Sequence, residues 1–277
     1  MVILTHYRNK INILRFFLDF IVKKMYTCVR KDGGRTDMPK GNALIVGGSR
    51  GIGAAMVRLF AREGVNVGFT YANSSKEAET LAKETGALAI RADSASPSDI
   101  DAALDCFHAE IGDVDILVNN AAISEIGLFT ELGADKWERL RKINLDAPMY
   151  YAKCVLPQMI AKKCGRIINI SSMWGQVGAS CEVAYSTTKA ALIGFTKALA
   201  KEVGPSGITV NAIAPGVILT EMNASLSEET LAALCEETPL CRLGTPEDVA
   251  QVALFLIGDG GNFITGQVIA PNGGFVV

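Results

Sequence analysis

From Gly41 onward, short apolar runs alternate with stretches in which apolar residues recur at helical spacing. The apolar runs predict strands, and they read NALIV, VNVGFT, ALAIRAD, DILVNNA, GRIINIS, ITVNAIA and GQVIAPN. Several contain almost no polar residue, as is typical of strands in a sheet that is covered on both faces. Amphipathic segments such as GIGAAMVRLFAREG lie between them and predict helices. The alternation predicts an α/β fold: a Rossmann-type, doubly wound parallel sheet of about seven strands with helices on both faces.

Two helix starts are marked clearly. At Ser96 and Thr245, the sequences SPSD and TPED combine a capping hydroxyl, a proline in the first turn and a carboxylate near the positive end of the helix. No long linker, low-complexity stretch or close internal repeat interrupts the pattern. We therefore predict a single domain over residues 38–277.

Residues 1–37 have a different character from the remainder. The first forty residues hold nine Lys or Arg against three Asp or Glu. Their apolar run is short and is broken by Arg15 and Asp19, so it predicts no transmembrane span, and no clean signal-peptide cleavage site follows it. Two interpretations stay open: an amphipathic surface helix, or an atypical basic extension whose natural start is Met38.

Composition narrows the chemistry further. A net charge of −2 gives no reason to expect a nucleic acid partner. The seven cysteines include no CxxC pair, which argues against a disulfide framework and favours the reducing cytoplasm. Only His6 and His108 could join them at a metal or serve a Ser/His/Asp triad, and they lie in the atypical extension and on an ordinary amphipathic helix. We expect a cytoplasmic protein without a metal site.

A glycine turn, VGGSRGIG, follows the first predicted strand and opens the first helix. Gly47, Gly51 and Gly53 let the backbone turn sharply and approach a diphosphate at the helix N-terminus. No GK[ST] follows, so the turn is not a P-loop. The second strand ends FTYANSS without the acidic residue that reads an NAD ribose, while Arg50 can pair with a 2′-phosphate. We predict NADP(H).

Residues 41–277 resemble the short-chain dehydrogenase/reductase family. The glycine motif of that family, TGxxxGxG, is matched with Val46 in place of the threonine, which costs a turn hydrogen bond. NNAA at Asn119 is similar to the NNAG motif of the family. PGVILT at Pro215 is similar to the segment that holds the nicotinamide in family members. Asp93 matches the residue that reads the adenine. The resemblance implies cofactor contacts at Gly47, Ser49, Arg50, Gly51, Ile52, Gly53, Asn73, Asp93, Ser94, Asn119, Ala121, Tyr185, Lys189, Pro215, Gly216, Ile218 and Thr220.

The resemblance also implies a catalytic tetrad of Asn144, Ser172, Tyr185 and Lys189, with Ser171 as a rival serine. Tyr185 and Lys189 are four positions apart and share a helix face, so the ammonium can lie near the phenol. A close positive charge, together with the nicotinamide cation when the cofactor is oxidised, favours the phenolate and lowers the pKa of the phenol from about 10, which makes it an acid or base near neutrality. By family resemblance Asn144 holds a water that returns protons through Lys189.

Two substrate classes stay open. GRIINISS and the segment from Tyr185 are similar to 3-oxoacyl-[acyl-carrier-protein] reductases, whose acidic carrier calls for a basic docking patch. The candidates for that patch are Lys162, Lys163 and Arg166, and Ser206 stands where such reductases often have a further basic residue.

SSMWGQVGASCEVAYSTTK resembles elongation factor P 5-aminopentanone reductases, which act on a modified lysine of a translation factor. Here Glu182 predicts a cationic ketone, because a carboxylate near the pocket suits an ammonium. Trp174 and Met173 are candidates for the substrate wall.

Two further alternatives remain: a sugar or steroid alcohol dehydrogenase, and a non-catalytic dinucleotide-binding regulator. The regulator is disfavoured because a binding module has no need of the tetrad. The family resemblance also implies a homotetramer or homodimer, assembled through residues 137–162 and 185–203. The apolar C-terminus, GGFVV, is a further candidate for an interface.

Overall fold

A computed structural model describes residues 41–221 and 227–277, so the predictions about residues 1–37 lie outside the described residues. Seven strands form one sheet: β1 Asn42–Val46, β2 Asn66–Tyr71, β3 Leu88–Arg91, β4 Ile116–Asn119, β5 Gly165–Ile170, β6 Ile208–Ile213 and β7 Val268–Ile269. Their order is β3-β2-β1-β4-β5-β6-β7, and every neighbouring pair is parallel. The predicted doubly wound parallel sheet is confirmed.

Helices cover both faces of this sheet. In the described residues they are α1 Gly51–Arg62, α2 Ser75–Thr85, α3 Pro97–Glu110, α4 Ala134–Arg141, α5 Ala147–Lys162, α6 Trp174–Val177, α7 Val183–Val203, α8 Glu228–Glu237 and α9 Pro246–Ile257. A π-helical turn, Lys142–Asp146, joins α4 to α5. The predicted starts of α3 and α9 are confirmed, since the Ser96 and Thr245 hydroxyls accept hydrogen bonds from the backbone N–H groups of Asp99 and Asp248.

Two apolar layers sandwich the sheet because side chains on a strand point alternately to opposite faces. In β1, Ile45 joins the layer that contains Phe60 of α1 and Leu256 of α9. The neighbouring Leu44 joins the other layer, which contains Phe107 of α3 and Tyr151 of α5. Side chains of this size contribute about 1.5–3 kcal/mol each when fully buried, so both faces of the sheet are well anchored.

The connections after β1, β4, β5 and β6 all begin at the carboxyl edge of the sheet, because the strands are parallel and adjacent. The chain winds outward in opposite directions from β1 and β4, and a crevice forms where such a reversal occurs. This edge therefore holds the glycine turn together with the segments that follow Asn119, Ile170 and Ile213. None of the helices in the described ranges is long and apolar enough to cross a membrane.

Candidate active site

The glycine turn between β1 and α1 is packed too closely for side chains. Gly47 has φ +76°, and a Cβ atom there would lie 2.7 Å from the Cα of Ala121. A Cβ on Gly53 would lie 2.2 Å from the carbonyl oxygen of Gly47. Gly51 has φ +50° and faces Thr220. Only glycine fits these positions, and the result is a bare stretch of backbone at the start of α1, where a phosphate is favoured.

Hydrogen bonds from neighbouring elements fix this turn. The Gly47 N–H donates to the Thr70 hydroxyl at 3.1 Å, and the Gly48 N–H donates to the Thr70 carbonyl at 2.9 Å. The Asn120 amide donates to the Gly47 carbonyl at 2.7 Å. Thr70 and Asn120 therefore hold the turn from β2 and from the end of β4, a role that sequence reasoning did not assign to either residue.

The predicted adenosine-side residues lie along β1, β2 and β3 at the same edge. Arg50, the residue before α1, is exposed, and its guanidinium makes no hydrogen bond or ion pair with any described residue. Asn73 is exposed after β2, and Ser94 is buried after β3. Asp93 accepts from the Ala95 N–H at 3.0 Å and lies 3.3 Å from the Arg139 guanidinium. The guanidinium of Arg50 is therefore available to an added phosphate, and its contact with the cofactor stays a prediction.

Asn119 lies behind the site. Its side-chain amide donates to the Asn169 side-chain oxygen at 2.9 Å, and the Asn169 amide donates to the Thr196 hydroxyl at 2.9 Å. All three residues are buried. The chain of bonds joins β4, β5 and α7, so its effect on the site is to hold these elements in register.

The segment after β6 crosses from the catalytic residues to the glycine turn. The Pro215 carbonyl accepts from the Met173 N–H at 2.9 Å, and the Gly216 N–H donates to Pro271 at 3.2 Å. Further along, Ile218 is buried in the core layer that also packs Ile52. Thr220 then reaches Gly51. The segment 215–220, which was predicted to hold the nicotinamide, is thus anchored beside the catalytic residues at one end and beside the glycine turn at the other.

Tyr185 and Lys189 lie together on the buried face of α7, with 8% and 2% of their surfaces exposed. The Lys189 ammonium nitrogen, Nζ, donates to the Ile170 carbonyl at 2.7 Å and lies 5.6 Å from the centre of the Tyr185 ring. Burial lowers the pKa of Lys189 to about 7, because the charged form loses its hydration.

The same burial raises the pKa of Tyr185 to about 12, and a hydrogen bond with Ser172 opposes this rise. The expectation that Lys189 lowers the phenol pKa is therefore wrong for the chain alone. Desolvation has the larger effect, and it also weakens the charge of the lysine that was expected to act on the phenol.

The two adjacent serines have different partners. The Ser171 hydroxyl donates to the backbone carbonyl of Lys189 at 2.9 Å and fastens α7 to the end of β5. The Ser172 hydroxyl accepts from the Trp174 N–H at 3.2 Å, and its proximity to Tyr185 acts to lower the pKa of the phenol. Of the two, Ser172 is thus the serine that shares the site with the phenol.

Asn144 is fully buried in the π-helical turn. Its side-chain oxygen accepts from the Ile123 N–H at 2.9 Å, and its amide donates to the Ile123 carbonyl at 2.8 Å. The amide also lies 3.3 Å from the Thr188 hydroxyl on α7. Asn144 thus clamps the segment after β4 against α7, and the clamp on Ile123 was not anticipated from the sequence.

The wall beside Tyr185 is aromatic. Trp174 packs against the cluster that contains Tyr185, and its ring meets Phe275 edge-on at 5.9 Å between ring centres. Phe275 belongs to the C-terminal segment GGFVV, and its contact with Trp174 is within the chain. Glu182 precedes α7, and its carboxylate accepts a hydrogen bond from the Ser124 hydroxyl at 2.9 Å.

The residues considered for a basic docking patch lie at the opposite edge of the sheet. Lys162 and Lys163 end α5, and Arg166 lies at the start of β5. Six residues of strand, about 20 Å at ~3.3 Å each, separate that end of β5 from the catalytic end. Lys162 is also paired with Asp113 and Asp115, at 3.2 and 2.9 Å. Within one chain, this group does not border the site.

Comparisons with known proteins agree with this geometry. A family model described as enoyl-(acyl carrier protein) reductase matches residues 46–276. The 3-oxoacyl-[acyl-carrier-protein] reductase of Aquifex aeolicus is 42% identical over 84% of this chain and 96% of its own length. The enzyme of the same name from Chlamydia trachomatis is 39% identical over the same shares.

Solved structures give the same result. A blue fluorescent protein from a metagenomic library, crystallised in complex with NADPH, has a TM-score of 0.80 and 37% identity, and the match covers 86% of this chain and 98% of that one. A short-chain dehydrogenase/reductase mutant from Serratia marcescens has a TM-score of 0.80 and 35% identity, with the same coverage. The chain belongs to the short-chain dehydrogenase/reductase family.

Proposed function

We propose that this protein is an NADPH-dependent ketoreductase that reduces a 3-oxoacyl thioester, carried on acyl carrier protein, to the 3-hydroxy product. The observation that carries the proposal is the meeting of Ser172, Tyr185 and Lys189 at the carboxyl edge of the sheet, beside the bare glycine turn. The names of the curated relatives support the substrate class, and the NADPH complex of the structural neighbour supports the cofactor.

Tyr185 is the proton donor in this proposal. With a pKa of about 12 the phenol is protonated at neutral pH, as a general acid must be. Its O–H donates to the carbonyl oxygen of the ketone and transfers the proton as that oxygen gains charge. Ser172 donates a second hydrogen bond to the same oxygen and holds the carbonyl in position. When bound, NADPH supplies the hydride that reduces the carbonyl carbon.

Lys189 restores the proton. A buried amine whose pKa is about 7 exchanges protons readily at neutral pH, and its position 5.6 Å from the ring centre lets its charged form stabilise the phenolate. Asn144 acts indirectly, since it fixes the segment after β4 that borders the site.

The residues available for the cofactor fit a dinucleotide with a 2′-phosphate. The backbone at Gly47, Gly51 and Gly53 can approach the diphosphate, and Arg50 is free to pair with the added phosphate. Replacing Arg50 with alanine should raise the KM for NADPH about tenfold, the effect of losing roughly 1.4 kcal/mol of binding, with no change for NADH. Equal losses for both cofactors would refute this assignment.

The chemistry is tested with acetoacetyl thioester and NADPH. Tyr185→Phe should reduce kcat by at least about a hundredfold, because the proton donor is removed, and Ser172→Ala should also reduce it strongly. Ser171→Ala is the matched control: it removes only the bond to the Lys189 backbone, so it should lower stability by about 1 kcal/mol and retain kcat.

Three outcomes contradict the proposal. Undiminished turnover by Tyr185→Phe would refute the role of the phenol. If the protein reduced an enoyl thioester in preference to the ketone, this result would favour enoyl reduction, the activity named in the description of the family model. Binding of NADPH by the wild type without any ketone-dependent turnover would favour the non-catalytic regulator or another alcohol dehydrogenase.

A second candidate substrate is the 5-aminopentanone group on a modified lysine of elongation factor P. The observation that favours it is the Glu182 carboxylate, held by Ser124 three residues before Tyr185. Such a carboxylate attracts an ammonium group and repels an acidic carrier. An amino-ketone should then be preferred over a neutral ketone of equal length, and Glu182→Gln should abolish that preference. If no preference exists in the wild type, this candidate fails.

We also propose that the chain works in the cytoplasm as a homotetramer or homodimer, with residues 38–277 as its catalytic domain and residues 1–37 as a basic extension. Several large apolar side chains support self-association because they are exposed in the single chain: Met149, Ile160, Phe255 and Phe263. Light scattering of the full-length protein tests the assembly, since a monomeric mass at micromolar concentration would refute it.

A further inference from the structure

Two hydrogen bonds join the segment after β4 to the segment before α7. The Ser124 hydroxyl donates to the Glu182 carboxylate at 2.9 Å, and the Gly127 N–H donates to the Cys181 carbonyl at 2.9 Å. Cys181 adopts φ +62°, a left-handed conformation that is uncommon for a residue with a side chain. The backbone is therefore bent sharply immediately before Glu182, at the edge of the site.

The carboxylate of Glu182 does not cap the helix that it precedes. Glu182 is the residue before α7, yet its side chain accepts no hydrogen bond from the first turn of that helix. It is held by Ser124, which directly follows Ile123, and Ile123 packs against the cluster that contains Tyr185. The bond therefore keeps a half-buried negative charge close to the phenol.

Few other charges face Tyr185. The loop after β4, α4 and the start of α6 present apolar side chains to it, namely Ile123, Leu132, Trp137, Leu140 and Trp174. The basic side chains of α4 and of the first residue of the π-helical turn are each paired: Lys136 with Glu125, Arg139 with Asp93, Arg141 with Asp146 and Lys142 with Glu138. On α7 itself the buried charged group is Lys189. Among the described residues of these elements, Glu182 and Lys189 are thus the charged groups that lie beside the phenol.

We propose that Glu182, fixed by Ser124, is a positioning residue that keeps the Tyr185 phenol in its protonated form and so extends ketone reduction to higher pH. The proposal rests on the proposed role of Tyr185 as proton donor. A nearby negative charge disfavours the phenolate, and this effect adds to that of burial. In agreement with this geometry, Glu182 contributes to the raised pKa of Tyr185.

The test uses a neutral ketone, ethyl acetoacetate, so that recognition of a substrate charge plays no part. The reduction rate with saturating NADPH is measured against pH for the full-length wild type, Glu182→Gln and Ser124→Ala. Glutamine keeps an oxygen that can accept from Ser124 but carries no charge, and alanine at position 124 leaves the charge unfixed. Glu125→Gln is the matched control, because Glu125 is a neighbouring carboxylate already paired with Lys136.

The alkaline limb of the profile should move to lower pH by roughly half a unit to one unit in Glu182→Gln, the shift expected for one charge at partial exposure. Ser124→Ala should move it less and in the same direction, and Glu125→Gln should leave it in place. A limb that is unmoved in Glu182→Gln, or moved equally in Glu125→Gln, would overturn the proposal.

A second readout does not depend on turnover. The carbon bearing the Tyr185 hydroxyl is followed by NMR in ¹³C-tyrosine protein without cofactor, assigned with Tyr185→Phe, at alkaline pH values where circular dichroism shows a folded chain. The phenolate fraction should be higher in Glu182→Gln than in wild type, and equal fractions would refute the charge effect. If no variant reduces ketones but this fraction changes as expected, the proposed function fails and the electrostatic inference stands.

Discussion

Replacing Lys189 with methionine should stabilise the folded protein at neutral pH while it abolishes ketone reduction. The ammonium group lies in a site that excludes water, with one hydrogen bond to the Ile170 carbonyl. Keeping the charged form there is unfavourable, and this cost lowers the pKa of Lys189 to about 7. A methionine of similar length fills the same space without a charge.

The magnitude follows from the pKa of Lys189, which falls from an ordinary value of 10.5 to about 7. A difference of about 3.5 pH units, at ~1.36 kcal/mol each, gives about 5 kcal/mol as the upper limit. The methionine leaves the Ile170 carbonyl without its donor, which costs roughly 1–3 kcal/mol. The expected net gain in the free energy of unfolding near pH 7 is therefore about 2–4 kcal/mol.

The sign of the pH dependence is fixed by proton binding. Between pH 7 and about 10.5 the unfolded chain binds a proton at Lys189 that the native chain has lost, so wild-type stability rises with pH. The stability of Lys189→Met lacks this dependence. Its advantage over wild type should be largest below pH 7 and should shrink by about 1.4 kcal/mol for each pH unit above it.

Urea unfolding, followed by circular dichroism from pH 6 to pH 10, measures this difference. Lys197→Met is the matched control, because Lys197 is exposed on the same helix, and its difference from wild type should not vary with pH. A difference for Lys189→Met that is constant across the range would show that the lysine binds its proton as tightly in the folded chain as in the unfolded one, and would refute the argument from burial.

Three further results are expected. Gly53→Ala should abolish NADPH binding, measured by cofactor fluorescence, because its Cβ atom would overlap the glycine turn at 2.2 Å; unchanged affinity would contradict the packing of the turn. Asn144→Leu should lower the free energy of unfolding by about 2–5 kcal/mol, since it leaves the N–H and the carbonyl of Ile123 without partners. A loss below about 0.5 kcal/mol would show that the two hydrogen bonds of Asn144 to Ile123 do not stabilise the fold. Asp248→Asn should lower the free energy of unfolding by about 1 kcal/mol at pH 7 and by less in acid. The ion pair with Arg242 holds the pKa of Asp248 well below its usual range, and the stabilisation by this pair is lost as the carboxylate is protonated. A difference between variant and wild type that grows in acid would contradict this assignment.

The amino-acid pattern alone was sufficient to predict the fold. Apolar runs such as those of β1 and β5 are buried whichever way a parallel sheet is assembled, so their alternation with amphipathic segments was sufficient to predict the architecture. The start of α9 was equally local, because its cap involves only residues within one turn of Thr245. The proximity of Tyr185 and Lys189 followed from helix geometry alone.

Tertiary structure decided what those residues experience. The family's spacing favoured Ser172 over Ser171, but which of the two adjacent serines meets the phenol depends on how β5 ends against α7. The bond from Ser124 to Glu182 joins residues 58 positions apart, and no local pattern marks it. For the chain without cofactor, the pKa of Tyr185 is raised and not lowered, because helix spacing gives the distance to a charge, whereas the free energy of that charge depends on how much water the surrounding elements exclude.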